Sequence, residues 1–313
     1  MHYDIIGDVH GHADKLEALL RKLGYQHRSG AWRKAGHTAV FVGDLIDGGP
    51  DQLRTLELVR AMVEQQCALV TMGNHEFNAI AYATKDPHSS DGSYLRVRND
   101  SNFEQHKAFL SEFGFGSAGH TEWIDWFRTM PLWLELDGLH IVHACWHDPS
   151  IEVIRKSLGG GNKINDEFLV NAHKLNGQKR CPAVYDALET LLKGLEVKLP
   201  EGVSFRDRYG AVRYAARVQW WLDGPADLGD VALGPIEDRR QLQGMRLEEG
   251  HLPGYSNEHP VFFGHYWMTG TPARQTAKVA CVDYSAANDG PLVAYRFEGE
   301  RELSASSFVS SND

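Results

Sequence analysis

The chain has 313 residues, 42% hydrophobic and 24% charged, and 32 Lys and Arg against 42 Asp and Glu give a formal net charge of −10. That balance is ordinary for a globular protein and too acidic for a nonspecific nucleic-acid-binding surface, although bound divalent ions would reverse the field locally for a phosphorylated ligand. Cys67, Cys145, Cys181 and Cys281 form no C-x-x-C pair, which argues for a reducing, cytoplasmic compartment, and neither a signal-peptide pattern nor an apolar run of about 18 residues is present.

The first 83 residues repeat one plan three times: a short apolar strand, polar residues between glycines, then a helix. Residues 3–6 predict a strand, Gly7-Asp8-Val9-His10-Gly11 its loop, and Leu16, Leu19, Leu20 and Leu23 a helix. Residues 38–42 predict the second strand, followed by Gly43-Asp44-Leu45-Ile46-Asp47-Gly48-Gly49. Asp51 is expected to cap the next helix, with Leu53, Leu56, Val59 and Val63 along it. Residues 68–72 predict the third strand, and Gly73-Asn74-His75-Glu76 opens another helix. This alternation means βαβ units and a parallel sheet, with the polar cassettes at the carboxyl ends of strands.

Turn-forming residues 86–93 and the segment Tyr94-Leu95-Arg96-Val97-Arg98 then break the plan and begin a surface excursion near residues 86–130. Residues 139–142 predict a strand ending at His143, and residues 186–195 a helix. Residues 203–222 suggest a hairpin insertion, with Arg206, Arg208, Arg213 and Arg217 around the turn-like Arg208-Tyr209-Gly210. Residues 261–263 lead into Gly264-His265. Residues 278–283 and 292–297 predict closing strands, and the serine-rich residues 304–313 are expected to fray. No repeat and no separating linker divide the sequence, so a single domain over residues 1–313 is expected.

The ligand-type residues of these cassettes suffice for two metal ions. Asp8 and His10 leave one strand together, Asp44 has two oxygens with which to bridge, Asn74 offers an amide oxygen, and His143 and His265 add imidazoles. Mixed nitrogen and oxygen donors without thiolate suit manganese first, with iron or zinc as alternatives. Taken singly, a Gly-Asp after a strand is a turn and a lone histidine is surface or core. Five such cassettes in order are hard to obtain by chance.

The series Gly-Asp-x-His-Gly, Gly-Asp-x-x-Asp-x-Gly, Gly-Asn-His-Glu, a strand-end His-Ala and a late Gly-His resembles the calcineurin-like metallophosphoesterases. Within them it looks most like the phosphoprotein phosphatase branch, which includes the bacterial symmetrical diadenosine tetraphosphate hydrolases. The resemblance runs from Asp8 to His265 and implies a two-sheet α/β sandwich flanked by helices. It implies one metal held by Asp8, His10 and Asp44, and a second held by Asp44, Asn74, His143 and His265. It also implies a metal-activated hydroxide as nucleophile, His75 as general acid and Asp47 as the carboxylate that orients it.

Two departures stand out. Gly48 replaces an arginine that grips phosphate in that branch, so Arg96, Arg98, Arg206, Arg213 and Arg217 are the candidates to replace it. Trp267 stands where many members of the superfamily carry another metal-binding histidine, which reads as favouring the phosphatase branch. Trp220 and Trp221 read as core and His147 as a residue outside the ligand set. Ile151 excludes a C-x5-R nucleophile at Cys145, Ala79 excludes an H-E-x-x-H protease helix, and Gly159-Gly160-Gly161 lacks the G-K-[ST] of a P-loop. The expected function is a dinuclear phosphomonoesterase of protein phosphatase type acting on a phosphopeptide or phosphoprotein. A dinucleoside polyphosphate or other nucleotide hydrolase is the alternative, and a non-catalytic phosphate-recognising scaffold the third reading.

Overall fold

The computed structural model describes residues 2–206, 212–234, 236, 239–247 and 252–312. In chain order the first part comprises β1 (His2–Ile6), α1 (Ala13–Leu23), a hairpin of β2 (Gln26–Arg28) and β3 (Ala31–Arg33), β4 (His37–Phe41), α2 (Gln52–Glu64), β5 (Ala68–Val70), α3 (Asn74–Ala83), α4 (Asp100–Phe113) and α5 (Ala118–Phe127). Then come β6 (Trp133–Leu136), β7 (Leu139–Val142), α6 (Asp148–Ser157), α7 (Asp166–Asn171), β8 (Lys174–Leu175), β9 (Gln178–Lys179) and α8 (Pro182–Lys193). Short strands follow: β10 (Glu196–Lys198), β11 (Phe205–Arg206), β12 (Val212–Arg213), β13 (Ala215–Val218), β14 (Ala226–Asp227), β15 (Ala232–Leu233) and β16 (Arg246–Leu247). The last four are β17 (Val261–Phe263), β18 (Val279–Cys281), β19 (Val293–Phe297) and β20 (Phe308–Ser310).

Two larger sheets organise the molecule. One has the order β20-β19-β1-β4-β5, with β1, β4 and β5 parallel. The other has the order β18-β17-β7-β6, with β7, β17 and β18 parallel. Because strand side chains alternate, each sheet has two apolar faces. Ile5, Val40, Ile141, Phe262 and Ala280 fill the layer between the sheets. On the outer faces Ile6, Phe41 and Val70 meet Leu16, Leu20, Leu56 and Val59 of α1 and α2, while Val142 and Phe263 join Ile154 and Leu188 of α6 and α8. This is an α/β fold of two packed sheets flanked by helices. A smaller core of Leu199, Ala216, Val218, Leu228, Val231 and Leu242 lies around the sheet β10-β13-β15.

Several local expectations are corrected. Asp51 precedes α2 but makes no side-chain cap; its carboxylate meets Arg54, and the Glu112 carboxylate at the end of α4 accepts from the Gln52 and Leu53 N–H groups at 2.8 and 3.0 Å. The excursion folds as a turn closed by the Lys85–Tyr94 bridge, followed by α4 and α5; residues 94–98 form no strand. The helix near residue 186 starts earlier, with Pro182 in its first turn, where a missing N–H is harmless. Within the expected hairpin, β11 and β12 pair antiparallel, the turn expected at Arg208-Tyr209-Gly210 lies outside the described residues, and β13 instead joins β10 and β15. The C-terminal segment does not fray: β20 pairs with β19, and Lys22 Nζ donates to the Ser310 carbonyl.

Candidate metal centre

The loops leaving the parallel strands β1, β4, β5, β7, β17 and β18 converge on one place. His10, Asp44, Asp47 and His265 all adopt left-handed backbone, with φ of 48°, 51°, 67° and 71°. Such conformations cost about 1–3 kcal/mol each in a non-glycine residue and persist where surroundings enforce them. Two glycines let the loops close on each other. A Cβ on Gly43 (φ 102°) would fall on the backbone of Gly73, and one on Gly264 would occupy the Asp8 carboxylate.

Asp44 lies at the centre, 2% exposed. Its Oδ2 is 3.7 Å from His10 Nε2, 3.9 Å from His75 Nε2 and 3.3 Å from His143 Nε2, and its Oδ1 accepts from the His75 N–H at 2.9 Å. Two trios of donor atoms, each within 4.8 Å of one another, share it: His10, Asp44 and His75, and Asp44, His143 and His265. Asn74 Oδ1 lies 3.0 Å from His143 Nε2. Asp8, expected at the first ion with His10 and Asp44, is outside that trio, where His75 stands instead; its Oδ2 accepts from the His265 N–H at 2.9 Å, and its Oδ1 is buried without a partner.

The protonation pattern fits metal ions. His10 Nδ1 donates to the Ile46 carbonyl at 2.9 Å, which leaves its Nε2 as the lone-pair nitrogen; His143 Nδ1 donates to the Val42 carbonyl at 2.8 Å, and although burial opposes its charge, Asp44 raises its pKa. The Nε2 atoms of His10 and His265 are buried and unpartnered. Burial, reinforced by His75, lowers His10 to about 4, and burial with the nearby Arg217 charge holds His265 well below the ordinary range, so both rings are neutral, the form in which an imidazole can bind a metal. Burial works against the charge on Asp44, yet His143 and His75 keep it well below the usual carboxylate range. Burial and the neighbouring Asp283 and Asp44 push Asp8 well up; such crowded buried carboxylates lack a cation. The donor set is that of a dinuclear divalent-metal site.

Beside Asp44, Asp47 Oδ2 meets His75 Nδ1 at 2.7 Å. Burial opposes the charge on His75, but Asp44 and Asp47 carry it up to about 9.

The candidate arginines separate. Arg217 on β13 is half-buried, with its guanidinium 5.4 Å from the centre of the Tyr266 ring, its Nε buried without a partner and its charge acting on His265. Arg96 donates to Asn102 and Gln105, both at 2.9 Å, near enough for the Asp47 charge to act on it. Arg98 is held by the rings of Tyr94 and Phe115, at 3.3 and 3.9 Å, and by the Tyr82 carbonyl. Arg206 and Arg213 are exposed on β11 and β12. Gly48, with φ 94°, faces His10 and Ala287. Trp220 is core and donates to the Ala144 carbonyl; His147 meets Ser150 at the start of α6. Cys145 is buried, which pushes its thiol well up.

Sequence reasoning missed three residues. Glu76, fully buried, accepts from the N–H groups of Gly73, Asp44 and Leu45 and so binds two site loops together. Asp283 accepts from the Trp267 and Ser285 N–H groups after β18. His106 Nδ1 lies 3.1 Å from Asp47 Oδ1.

The sequence profile of the calcineurin-like phosphoesterases matches residues 1–198. Among curated proteins, the bis(5'-nucleosyl)-tetraphosphatase PrpE [asymmetrical] of Oceanobacillus iheyensis is 46% identical over 76 residues, 24% of this chain and 30% of that protein. The protein of the same name from Bacillus subtilis is 36% identical over 88 residues, 28% of this chain and 36% of that protein. The chain thus spans about a third of the length of the curated relatives it matches. Among solved structures, a protein provisionally assigned as a diadenosine tetraphosphatase superposes with a TM-score of 0.50 at 17% identity, over 99% of this chain and 92% of that one. A serine/threonine protein phosphatase from Saccharomyces cerevisiae gives 0.52 at 16% identity, over 99% and 78%. These two likenesses concern the fold alone. The expected kinship with the phosphoprotein phosphatase and symmetrical-hydrolase branch is corrected by the curated relatives, which are asymmetrical tetraphosphatases.

Proposed function

This chain belongs to the calcineurin-like phosphoesterase family, and on that premise we propose that it is a hydrolase of dinucleoside polyphosphates that splits its substrate asymmetrically. Its metal dependence and phosphoesterase class follow from the family and the two trios around Asp44. The nucleotide substrate is supported by the activity named for the asymmetrical relatives, which favours the nucleotide alternative over the phosphomonoesterase expected first.

In this proposal Asp8, His10 and Asp44 hold one ion and Asp44, Asn74, His143 and His265 the other, with His75 close enough to Asp44 to face the same space. Two divalent ions bound there would supply Lewis acidity toward phosphoryl oxygens and acidify water, and manganese is the metal we favour for so imidazole-rich a site. The chain's own work is orientation and proton transfer. Glu76 locks the loops after β4 and β5 together, Asp47 fixes the His75 ring, and His75 Nε2 hands a proton to the departing phosphate oxygen. Arg217 is the arginine best placed to meet a phosphate, because its Nε is buried and unpartnered next to the His265 loop. Action of the whole chain as one domain and a cytoplasmic location belong to the same proposal; among the described residues no helix is long and apolar enough to cross a membrane.

The observation that carries the proposal is the sharing of Asp44 by two trios with the His75–Asp47 pair alongside. The test is product analysis after manganese loading. Diadenosine tetraphosphate should give ATP and AMP, whereas two ADP would mean symmetrical cleavage. Turnover of phosphopeptides with none of the dinucleotide would refute the proposal.

A further inference from the structure

Asp47 does not serve His75 alone. Its Oδ2 is 2.7 Å from His75 Nδ1, and Nδ1 of His106, on α4 within the excursion, lies across both of its oxygens, 3.1 Å from Oδ1 and 3.2 Å from Oδ2. His106 is 4% exposed. Its ring stacks on Phe109 at 5.1 Å and meets Tyr82 edge-on at 5.5 Å, and Tyr82 in turn lies under the Arg98 guanidinium at 4.7 Å. The His106 Nε2 is buried without a partner. A neutral imidazole in that position keeps its proton on Nδ1, where an acceptor waits, since an unpaired buried N–H is costly. The Asp47 backbone, held at φ 67°, is pinned as well, its N–H donating to Gln52 Oε1 at 2.8 Å.

A carboxylate gripped at one oxygen only can rotate about its last torsion. Gripped at both, it has a single orientation, and so does the imidazole it directs. We propose that His106 is a positioning residue that fixes Asp47 and, through it, the His75 ring, so that α4 contributes to proton delivery without touching substrate. The inference rests on the reading of His75 as the leaving-group acid. The plain alternative is that His106 merely fills the core between Phe109 and Tyr82.

Two substitutions separate these roles. His106→Phe keeps a flat ring and removes the donor; His106→Asn loses the ring but keeps an N–H close to the position of Nδ1. In protein labelled with nitrogen-15 at histidine, wild type should show protonated Nδ1 signals from both His75 and His106, and both should move in Asp47→Asn. In His106→Phe the His75 signal should shift. Its kcat on alkyl phosphates should fall roughly 10-fold, as for the loss of an outer hydrogen-bonding partner, with KM and metal content unchanged and p-nitrophenyl phosphate hydrolysis little affected. His106→Asn should restore most of the loss. A wild-type His106 protonated on Nε2, an unmoved His75 signal, equal slowing of all substrates, or no recovery with asparagine would each overturn the proposal. If His106→Phe fails to fold, the wild-type and Asp47→Asn spectra decide alone. Failure of the wild type to cleave dinucleoside tetraphosphates would refute the proposed substrate but leave the spectra to judge His106.

Discussion

Replacing His75 by alanine separates acid catalysis from metal binding. The side chain has one nitrogen committed to Asp47 at 2.7 Å, and the other lies 3.9 Å from the central Asp44 carboxylate. An imidazole so fixed meets the geometric requirement for a general acid, a contribution of about 10²–10⁴ in rate, equivalent to roughly 2.7–5.5 kcal/mol in the barrier. The contribution depends on the leaving group. An alkoxide needs the proton, whereas p-nitrophenolate departs readily without it. His75→Ala should therefore lose about 10²-fold or more on alkyl phosphates and less than about 10-fold on p-nitrophenyl phosphate. Steady-state kinetics on both substrates, with metal content measured on the same samples, gives the answer. Loss of metal, or equal slowing on both substrates, would show that His75 is a ligand, the role its place in the first trio also allows, and would refute the reasoning.

Asp44→Asn should lower the occupancy of both ions and abolish turnover, because one carboxylate serves both trios; wild-type metal content by elemental analysis with full activity would contradict this. Chelation should inactivate the protein and manganese should restore more activity than magnesium, as the imidazoles of His10, His143 and His265 prefer a borderline cation; equal recovery with the two metals would count against it. Arg217→Ala should raise KM with metal content unchanged, while Arg98→Ala should lower thermal stability and leave KM alone, since Arg98 is spent on Tyr82, Tyr94 and Phe115. The Asp86–Arg180 pair should make stability acid-sensitive. Burial opposes the Asp86 charge, but Arg180 brings its folded pKa below the ordinary 3.8, so the pair stabilises above that value and its contribution is lost as pH falls through the lower one. Arg180→Met should cost about 1–3 kcal/mol near neutrality, and the gap in Tm should close below about pH 4.

The parts of this molecule that could be read from its sequence are those encoded within a few residues. An apolar run followed at once, or after one glycine, by aspartate, asparagine or histidine marks a strand-end loop by itself, so the loops of Asp8, His10, Asp44, Asn74, His143 and His265 were legible. Asp283, in Val282-Asp283 after β18, carries the same signature and was within reach. His106 was not, because a histidine on an apolar helix face is indistinguishable from core packing until α4 is seen against Asp47, 59 residues away. The cap on α2 was hidden for the same reason: Asp51 has the right chemistry in the right place, but Glu112 arrives from α4 and takes the N–H groups. Serine-rich composition concealed β20, whose pairing depends on β19. Trp267 was read as favouring the phosphatase branch and led to the wrong kinship, whereas Gly48, a departure from that branch, kept the nucleotide alternative open.

The antiparallel pairing of β1 with β19 has a consequence for biosynthesis. The Asp8 carboxylate is anchored by the His265 N–H, 257 residues later, and the strand preceding it is flanked on one side by Val293–Phe297. No amino-terminal fragment released early from the ribosome can therefore assemble the paired ion sites. Until β19 is made, β1, β4 and β5 carry an open edge at β1, a state of long-range closure that is slow to complete and exposed to mispairing. Assembly of the two donor trios thus waits on a segment made 257 residues after Asp8.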